Sequence, residues 1–505
     1  MTATGAGAAD VGDVADQEAA AQAAVLRGLP SQAQLWQWIE RLNGFGPRLT
    51  GSPAHAAAID YLATELQALG LQVQRDHLPL RRWTAHTTQL TLDDGSAIAV
   101  AAPLPYSGVT PPDGLAGELV WFDGRPRSFR KARGKIAVVA LRRRDLDRTL
   151  LTLAFKRKAR LPDGDADFAS PITTPLLTGL QAVALDRARR HGVRAVICVF
   201  EGVSEAQLHG QVLPFITPYR DLPAVWVSAR HAEALRAAAA QRRQARLTLH
   251  ATLQDTTTDT LYAVLPGRAQ DETLIVNTHT DGPNACEENG AAGVLALAYA
   301  FAALPRAARR RTLVFVLVTG HFQLPQIGVH GRQATSAWLQ RHPQLWDGRG
   351  SHARAVAGIT IEHLGCTEWR DDLAAGAPAP TGKLERDLVY TATPALDALY
   401  RQACAGRSKL RALTLSPRLE VAMLGEGQPL YQAGIPVVAT CPIPDYLCQV
   451  LPEGGIARLD PAYAQQQVET FARLLARLDQ RDAAQIGRIP LTPGRLLSRL
   501  IERLR

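Results

Sequence analysis

The chain has 505 residues, which exceeds the size of one ordinary domain and predicts two or three. A hydrophobic fraction of 46% and a charged fraction of 20% are typical of a soluble globular protein with an ample core. A net charge of +9 is compatible with nucleic-acid binding, but the densest basic stretch, residues 125–160, lacks a helix-turn-helix, zinc-finger or interleaved aromatic pattern. We therefore expect a solvated basic surface and no nucleic-acid partner.

Cysteine usage and the N-terminus predict the compartment. The six cysteines are dispersed without a CxxC pair and do not make a disulfide framework. The first ten residues carry neither the basic start nor the apolar core of a signal peptide, and no apolar run is long enough to span a membrane. The sequence therefore predicts a cytoplasmic protein without membrane insertion.

The N-terminal part predicts a flexible tail and two helices. Residues 1–24 are rich in small and acidic residues, as frayed termini often are. Apolar residues recur at helical spacing over residues 31–42. A breaker-rich loop, residues 44–53, precedes a second helical pattern over residues 54–69, which Gly70 ends.

Residues 88–254 predict a separate β-rich domain, in which short strand patterns recur between loops. The strand patterns cover residues 88–92, 98–101, 118–122, 136–141, 195–200 and 224–227, and two helical patterns cover 179–191 and 229–242. A short strand pattern at residues 71–74 comes before this region. We interpret the region as an insertion into the domain that residues 25–87 and 255–485 form together.

From residue 260 onward, strand patterns alternate with helical patterns. The strands are predicted at residues 261–265, 274–277, 312–318 and 356–361, and the helices at 291–303 and 333–340. Strands separated by helices usually pair in parallel. The predicted fold class is therefore α/β, with a mostly parallel mixed sheet covered by helices and a β-rich inserted domain.

The C-terminal residues 486–505 predict a basic amphipathic helix. Five apolar residues between Leu496 and Leu504 share one face of it. We expect this face to pack on the chain's own domain or on a second copy of the chain in a homo-oligomer, rather than on a membrane surface.

Metal-ligand chemistry collects at the end of one predicted strand. The stretch Asn-Thr-His-Thr-Asp-Gly at residues 277–282 follows that strand, and Cys-Glu-Glu-Asn-Gly-Ala-Ala-Gly at residues 286–293 leads into a helix. His279, Asp281 and two glutamates thus lie where open α/β sheets form their binding crevices. Imidazole and carboxylate together suit zinc or a similar divalent ion. The alternative is a polar turn that binds no metal.

The order of these motifs resembles that of the co-catalytic zinc aminopeptidases, a family that includes leucine aminopeptidases, glutamate carboxypeptidases and glutaminyl cyclases. The resemblance covers nearly the whole chain. It rests on the loop at residues 46–53 with the helix behind it, the strand pair at 261–267 and 273–281, and the late loop and strand at 434–438. The segments similar to a protease-associated domain, which is inserted in many members, are residues 134–139, 190–198 and 222–228.

The resemblance implies a set of metal ligands. His279, Glu288 and Glu362 would hold the first metal, and Glu288 would stand where the family usually has a bridging aspartate. The carboxylate of Asp281 would hold the His279 imidazole and fix which ring nitrogen faces the ion.

The chain departs from the family at the second metal. After the strand at residues 311–320 the family carries two consecutive glutamates, a general base and a ligand, but here the residues are His321 and Phe322. The family's last histidine falls near Val450, and the nearest side chain with ligand chemistry is Cys448. The sequence therefore predicts one zinc ion rather than two. It argues against glutaminyl cyclase activity, because those enzymes use the site that is missing here.

Several roles stay open. His321 is either the acid/base that replaces the glutamate, a fourth metal ligand, or a space-filling residue beside Phe322. His363 follows Glu362 on a predicted strand and is expected to point to the opposite face. Glu287 is interpreted as an exposed acid or a weak substitute base.

Two function hypotheses follow. The first is a metal-dependent, aminopeptidase-like hydrolase of peptide or small amide substrates, with His321 and Asp281 in catalytic roles. The alternative is a catalytically inactive protein of the same fold that acts as a binding or scaffold protein. A closed shell of four protein ligands would favour the alternative, because it leaves no open position for water or substrate. A nucleophilic Cys286 has no identifiable histidine partner in the sequence.

Overall fold

The computed structural model describes residues 18–145, 153–162, 175–180, 184–329, 333–420 and 422–490, together with residues 493 and 496. Its large mixed sheet, covered by helices, confirms the predicted fold class. Most of the predicted C-terminal helix lies outside the described residues. Within the described ranges, no helix combines the length and the apolar character needed to cross a membrane.

The strands, in chain order, are β1 (Val73–Leu92), β2 (Ala97–Ile98), β3 (Val100–Pro103), β4 (Leu115–Asp123), β5 (Ile136–Arg142), β6 (Phe155–Leu161), β7 (Ala195–Glu201), β8 (Ala224–Ser228), β9 (Gln244–Leu265), β10 (Ala269–His279), β11 (Arg311–Val318), β12 (Arg354–Thr360), β13 (Thr367–Asp372), β14 (Ala377–Leu384), β15 (Asp387–Thr391), β16 (Ala412–Pro417) and β17 (Val437–Thr440). The α-helices after residue 30 are α1 (Gln32–Asn43), α2 (Pro53–Ala68), α3 (Leu176–Leu180), α4 (Leu185–Arg190), α5 (Glu205–Leu208), α6 (Ala232–Ala240), α7 (Gly290–Ala302), α8 (Thr335–Arg341), α9 (Pro394–Ala403), α10 (Gly427–Ala433), α11 (Pro461–Gln480) and α12 (Ala483–Ile486). Residues 18–27 are helical as well.

The N-terminal helices begin where the sequence supplies caps. The side chain of Ser31 accepts the Gln34 N–H ahead of α1, and Ser52 precedes α2, whose first residue is a proline. Residues 18–27 form a helix that buries Val25, so the described part of the expected flexible tail is ordered. Burial of an apolar side chain stabilises this helix in a way that the tail's composition does not reveal.

The central sheet carries the main core. Its strand order is β9-β11-β10-β12-β17-β15-β16-β6, and β10 pairs in parallel with β11 and β12. Every residue of β11 is buried, and so are nearly all residues of α7, which packs on β10 and β11. A strand or helix that is apolar all round must be covered on both sides, and the helices on both faces provide that cover.

The predicted insertion forms a second set of layers. Its strands follow the order β3-β8-β7-β5-β4, in which β8, β7, β5 and β4 are parallel to one another and β3 is antiparallel to β8. Separate hydrophobic clusters lie on the two faces of these strands. The region therefore has its own core, while its likeness to a protease-associated domain stays a prediction.

A long two-stranded ribbon joins the two regions. β1 and β9 pair antiparallel from Val73 opposite Ala263 to Leu92 opposite Ala245. The short strands expected at residues 71–74 and 88–92 lie at the two ends of β1 and belong to one continuous strand. Between them Leu78, Leu80 and Trp83 are buried, but Pro79 and the adjacent Arg81 and Arg82 interrupt the pattern by which a continuous strand is recognised in a sequence.

The sheet brings three loops to one edge. β10 ends at His279, β11 at Val318 and β12 at Thr360, and all three strands are parallel. Their carboxyl ends therefore meet at the same side of the sheet, where the residues that follow them can approach one another.

Candidate metal centre

Five side chains with ligand chemistry converge at this edge. His279 is the last residue of β10, and His321 lies in the 3-10 turn that follows β11. Glu362 and His363 lie within three residues of the end of β12, and Glu287 precedes α7. The exposed fraction of each residue is 6% or less. Polar groups buried this deeply are costly unless they have partners.

Two of the imidazoles are stacked, and each is held through its Nδ1 atom. The ring centroids of His279 and His321 lie 4.2 Å apart, with an interplanar angle of 12°. His279 Nδ1 lies 2.8 Å from the backbone carbonyl oxygen of Asp281, and His321 Nδ1 lies 2.6 Å from Oε1 of Glu426. Since these acceptors require an N–H on Nδ1, Nε2 of each ring is left for a further ligand, as in metal-binding histidines.

His363 belongs to the same cluster, and the expectation that it points to the opposite face was wrong. Its Nδ1 lies 2.6 Å from the carbonyl oxygen of Pro442, and its Nε2 lies 2.8 Å from Oε2 of Glu287. His363 has a φ of 58°, in the left-handed region, and it follows the end of β12 at Thr360. The alternation of a strand therefore no longer decides the direction of its side chain.

His279 Nε2 and Glu362 Oε2 have no hydrogen-bond partner among the described residues. Glu287 Oε2 and His363 Nε2 face each other at 2.8 Å as a buried ion pair and have no further partner there. Ligand atoms of His279, Glu287 and His321 lie within 4.8 Å of one another, and so do those of His279, Glu362 and His363. A divalent ion would satisfy these atoms, and imidazole with carboxylate is a donor set that zinc prefers. The residues present therefore fit zinc.

The protonation states are set mainly by burial. Burial, helped by the charge of His321, lowers the pKa of His279 to about 3, so its imidazole is neutral, as a metal ligand must be. Burial raises the pKa of Glu362 to about 7, against the opposing effect of His363 and His321. Burial also lowers the pKa of His321, but the hydrogen bond and charge of Glu426 outweigh it and raise this pKa to about 9. A bound cation would favour the ionised form of Glu362.

Glu288, the predicted bridging ligand, is turned away from the cluster. Its Oε2 lies 2.7 Å from Nη1 of Arg48, and its Oε1 accepts the Arg48 backbone N–H at 3.0 Å. Both side chains are 1% exposed. A buried guanidinium needs a carboxylate partner, and Glu288 supplies it, so that the neighbouring Glu287 reaches the cluster instead. The structure thus pairs Glu288 with Arg48, 240 positions away in the chain, and brings Glu287 rather than Glu288 into the cluster.

Asp281 also differs from its predicted role. Its carboxylate accepts hydrogen bonds from the Thr50 hydroxyl and from the backbone N–H groups of Phe322, at 3.0 Å, and His321, at 3.3 Å. The group that holds the His279 ring is the backbone carbonyl of Asp281. The carboxylate of Asp281 therefore fixes the loop that carries His321. The chain turns after β10, and this turn directs the Asp281 side chain away from the His279 imidazole.

The departures from the zinc aminopeptidase pattern lie beside the cluster. The Phe322 ring packs 4.5 Å from that of Phe215, and Val450 lines a neighbouring cavity. Cys448 is buried, and burial raises the pKa of its thiol well above the usual value. Cys286 Sγ lies 2.9 Å from the sulfur of Cys366, and burial raises the pKa of the Cys286 thiol as well, which argues against a nucleophilic thiolate.

Glu426 is a member of the site that the sequence analysis missed. Its carboxylate binds His321 Nδ1 and accepts the backbone N–H groups of Ala334 and Thr335 at 3.0 and 2.7 Å. Its own backbone N–H donates to Oε1 of Glu362 at 2.6 Å. The preceding Gly425 has a φ of 72°, and an added Cβ there would lie 2.0 Å from Oε2 of Glu362. The sequence pointed to Glu426 only through its position between two glycines, Gly425 and Gly427.

Comparisons with known proteins identify the fold. No family model matches the chain. A probable lipoprotein aminopeptidase, LpqL of Mycobacterium tuberculosis, is 37% identical over 75 residues, which span 15% of this chain and 15% of that protein.

Solved structures match over most of the chain. The zinc aminopeptidase BSAP of Bacillus subtilis matches with a TM-score of 0.62 and 16% identity, over 92% of this chain and 99% of that one. A peptidase M28 precursor from Shewanella amazonensis matches with a TM-score of 0.64 and 17% identity, over 95% and 100% of the two chains. An aminopeptidase from Aneurinibacillus sp. strain AM-1 gives 0.58 and 14%, over 91% and 95%. The chain therefore has the fold of zinc aminopeptidases, as the resemblance implied.

Proposed function

We propose that the chain is a metal-dependent hydrolase of peptide or related amide bonds, similar to an aminopeptidase, with one zinc ion. The observation that carries this proposal is the convergence of buried ligand atoms from His279, Glu287, Glu362 and His363 at the carboxyl edge of the sheet, among which His279 Nε2 and Glu362 Oε2 have no partner in the described part of the chain. Aminopeptidases, one of them a zinc enzyme, are among the solved structures that share this fold. Peptides and small amides are the corresponding substrates.

The ion would be held by His279, Glu362 and His363, whose ligand atoms lie within 4.8 Å of one another. Glu287 and His321 form a second group that shares His279 with the first, so a single ion at the shared histidine is favoured over two. When bound, zinc lowers the pKa of a water molecule and polarises the carbonyl group of a substrate.

The protein's own groups would move the protons. Glu287 offers a buried carboxylate beside the ligands and can accept a proton from the attacking water. His321 is held at Nδ1 by Glu426 and stacks on His279, so its Nε2 can deliver a proton to the leaving amine. Asp281 acts through the backbone N–H groups of His321 and Phe322 and is a positioning residue.

Metal content and hydrolysis, measured together, test this proposal. We expect the purified protein to contain about one equivalent of zinc and to hydrolyse members of a panel of aminoacyl and dipeptidyl amides. His279→Ala should lose both properties, whereas the exposed control His77→Ala should keep both. Hydrolysis that survives in His279→Ala, or in protein freed of metal by a chelator, would overturn the proposal. Bound zinc without any turnover would assign a closed structural site instead.

A further inference from the structure

A cavity of about 430 Å³ lies against the candidate metal centre. One side of it is formed by the loop that leads into α2 and by the β1 ribbon, including Thr50 and Trp83. The inserted region closes another side with Tyr106 and Phe215, and Phe322 lies at the end that faces the metal centre. The cavity is therefore shared between the two regions of the chain, and its volume is in the range of small-ligand sites.

Four aromatic rings dominate its wall. Trp83 and Tyr106 pack with their ring centroids 6.0 Å apart, and Phe215 and Phe322 pack at 4.5 Å. Most of the other lining residues are apolar as well, such as Val212. Aromatic and aliphatic walls favour an occupant that removes apolar surface from water.

The cavity is coupled to the metal centre by direct contacts. Phe322 is the neighbour of His321, and the Phe215 ring lies 5.7 Å from the His321 ring. Thr50 lines the cavity and donates its hydroxyl to the carboxylate of Asp281, which also holds the backbone of Phe322. An occupant of the cavity would therefore lie next to the groups that are proposed to act on an amide bond.

Polar atoms in the wall match an amide. Trp83 Nε1 and Arg82 Nε are buried donors, and the side-chain oxygens of Gln211 and Gln323 are buried acceptors. None of these four atoms has a hydrogen-bond partner in the described part of the chain. Buried polar atoms without partners are uncommon in folded proteins. A ligand that carries both a carbonyl oxygen and an N–H group can pair with both kinds of atom, and a peptide is such a ligand.

We infer that this cavity binds a large apolar or aromatic side chain of a peptide substrate and thereby sets the selectivity of the enzyme. The inference rests on the proposed hydrolase function. It assigns Trp83, Tyr106 and Phe215 to substrate recognition, so that the ribbon and the inserted region supply specificity residues to a site on the central sheet.

Kinetics on matched peptides test the inference. Two series of dipeptide amides are compared. In the first series, the first residue is phenylalanine, leucine, alanine or glutamate and the second is alanine. In the second series, the first residue is alanine and the second is varied. At one of the two positions we expect kcat/KM for phenylalanine to exceed that for alanine by about 10- to 100-fold. Trp83→Ala should reduce this preference by about tenfold or more and leave the alanine substrate little changed.

The matched control is Trp121→Ala, which removes a tryptophan of the inserted region that packs under Arg236, away from the cavity. If Trp83→Ala does not fold, Ala85→Phe provides a second variant, because Ala85 is half-buried on the cavity wall and a larger side chain there would fill it. Equal kcat/KM for all side chains, or a preference that both cavity variants leave intact, would overturn the inference while the hydrolase function stands.

A binding measurement separates the two proposals. Calorimetry on chelator-treated protein compares N-acetyl-phenylalaninamide with N-acetyl-glycinamide. We expect the former alone to bind measurably and Trp83→Ala to abolish its binding. That result in a protein without turnover would support the cavity and overturn the hydrolase function. Equal binding of the two probes would count against the cavity whatever the activity.

Discussion

The candidate metal centre and the aromatic cavity lie side by side but are built in opposite ways. The metal centre consists of charged and polar side chains that follow the ends of three neighbouring parallel strands. The cavity is mostly apolar, and its lining comes from the N-terminal loop, the β1 ribbon, the inserted region and the loops around Phe322 and Val450. Its wall therefore depends on the packing of segments that are far apart in the chain.

Under the proposed function, the groups that act on the amide bond and the groups that select the substrate come from different parts of the fold. Parallel strands bring their carboxyl ends together whatever the surrounding loops are, so a reactive centre there depends on a few residues. A specificity wall depends on which loops and insertions surround that edge, and these vary without disturbing the sheet. Substitutions in the two regions should consequently have separable effects.

The largest effect is expected from a pair of neighbouring glutamates. Glu287→Gln should abolish hydrolysis and lower zinc affinity by about 10- to 100-fold, because Glu287 is the proposed proton acceptor and lies 2.8 Å from the proposed ligand His363. Glu288→Gln should keep the zinc but lower the free energy of unfolding by about 3–5 kcal/mol, since Arg48 loses its buried partner. Zinc competition and urea unfolding measure the two quantities. Loss of zinc in Glu288→Gln at unchanged stability would restore the sequence-based assignment and contradict the geometry.

An intermediate effect is expected at Glu426, which lies behind the metal centre. Glu426→Gln should lower zinc affinity by about 10- to 100-fold, because its carboxylate anchors the segment whose backbone N–H holds the proposed ligand Glu362. The preference among peptide side chains should not change, since Glu426 does not line the cavity. Chelator competition gives the affinity, with the surface variant Glu469→Gln as control. An altered preference at unchanged zinc affinity would show that the two regions are not separable.

The smallest effect is a pH response outside both regions, at the buried Asp445. Burial, only partly opposed by Arg370, raises the pKa of Asp445 to about 7. Between about pH 4 and 7 the folded state keeps a proton that the unfolded state has lost, so this group's contribution to stability falls as pH rises through that window. Asp445→Asn should therefore be more stable than wild type by about 1–3 kcal/mol at pH 8, and by much less at pH 4.5.

Urea unfolding at the two pH values measures this difference, and Asp255→Asn, at a side chain that is 93% exposed, is the control. A difference that is the same at both pH values would contradict the predicted titration. Because the metal centre titrates equally in both proteins, the subtraction isolates Asp445 from it.

Local patterns in the sequence predicted the fold and the position of the site. Apolar strands that alternate with helices indicated the parallel sheet, and a histidine at the end of β10 indicated the metal edge. His279, Glu362 and His321 all lie in the cluster, because their distance from a strand end is set by local structure. The length of the β1–β9 ribbon was not predicted, because Pro79 and the charged residues near it interrupt the strand pattern that pairing with β9 completes.

The sequence by itself determined an α/β protein with ligand chemistry at the carboxyl edge of its sheet, and an aromatic residue, Phe322, where the resemblance implies a metal ligand. Only the tertiary structure decided which of two adjacent glutamates faces the cluster, because that depends on the distant Arg48. It also decided that His363 joins the site, through a left-handed turn, and that Glu426 supports it. Side-chain direction beyond the end of a strand depends on turns and buried partners, and these are fixed only when the whole chain is packed.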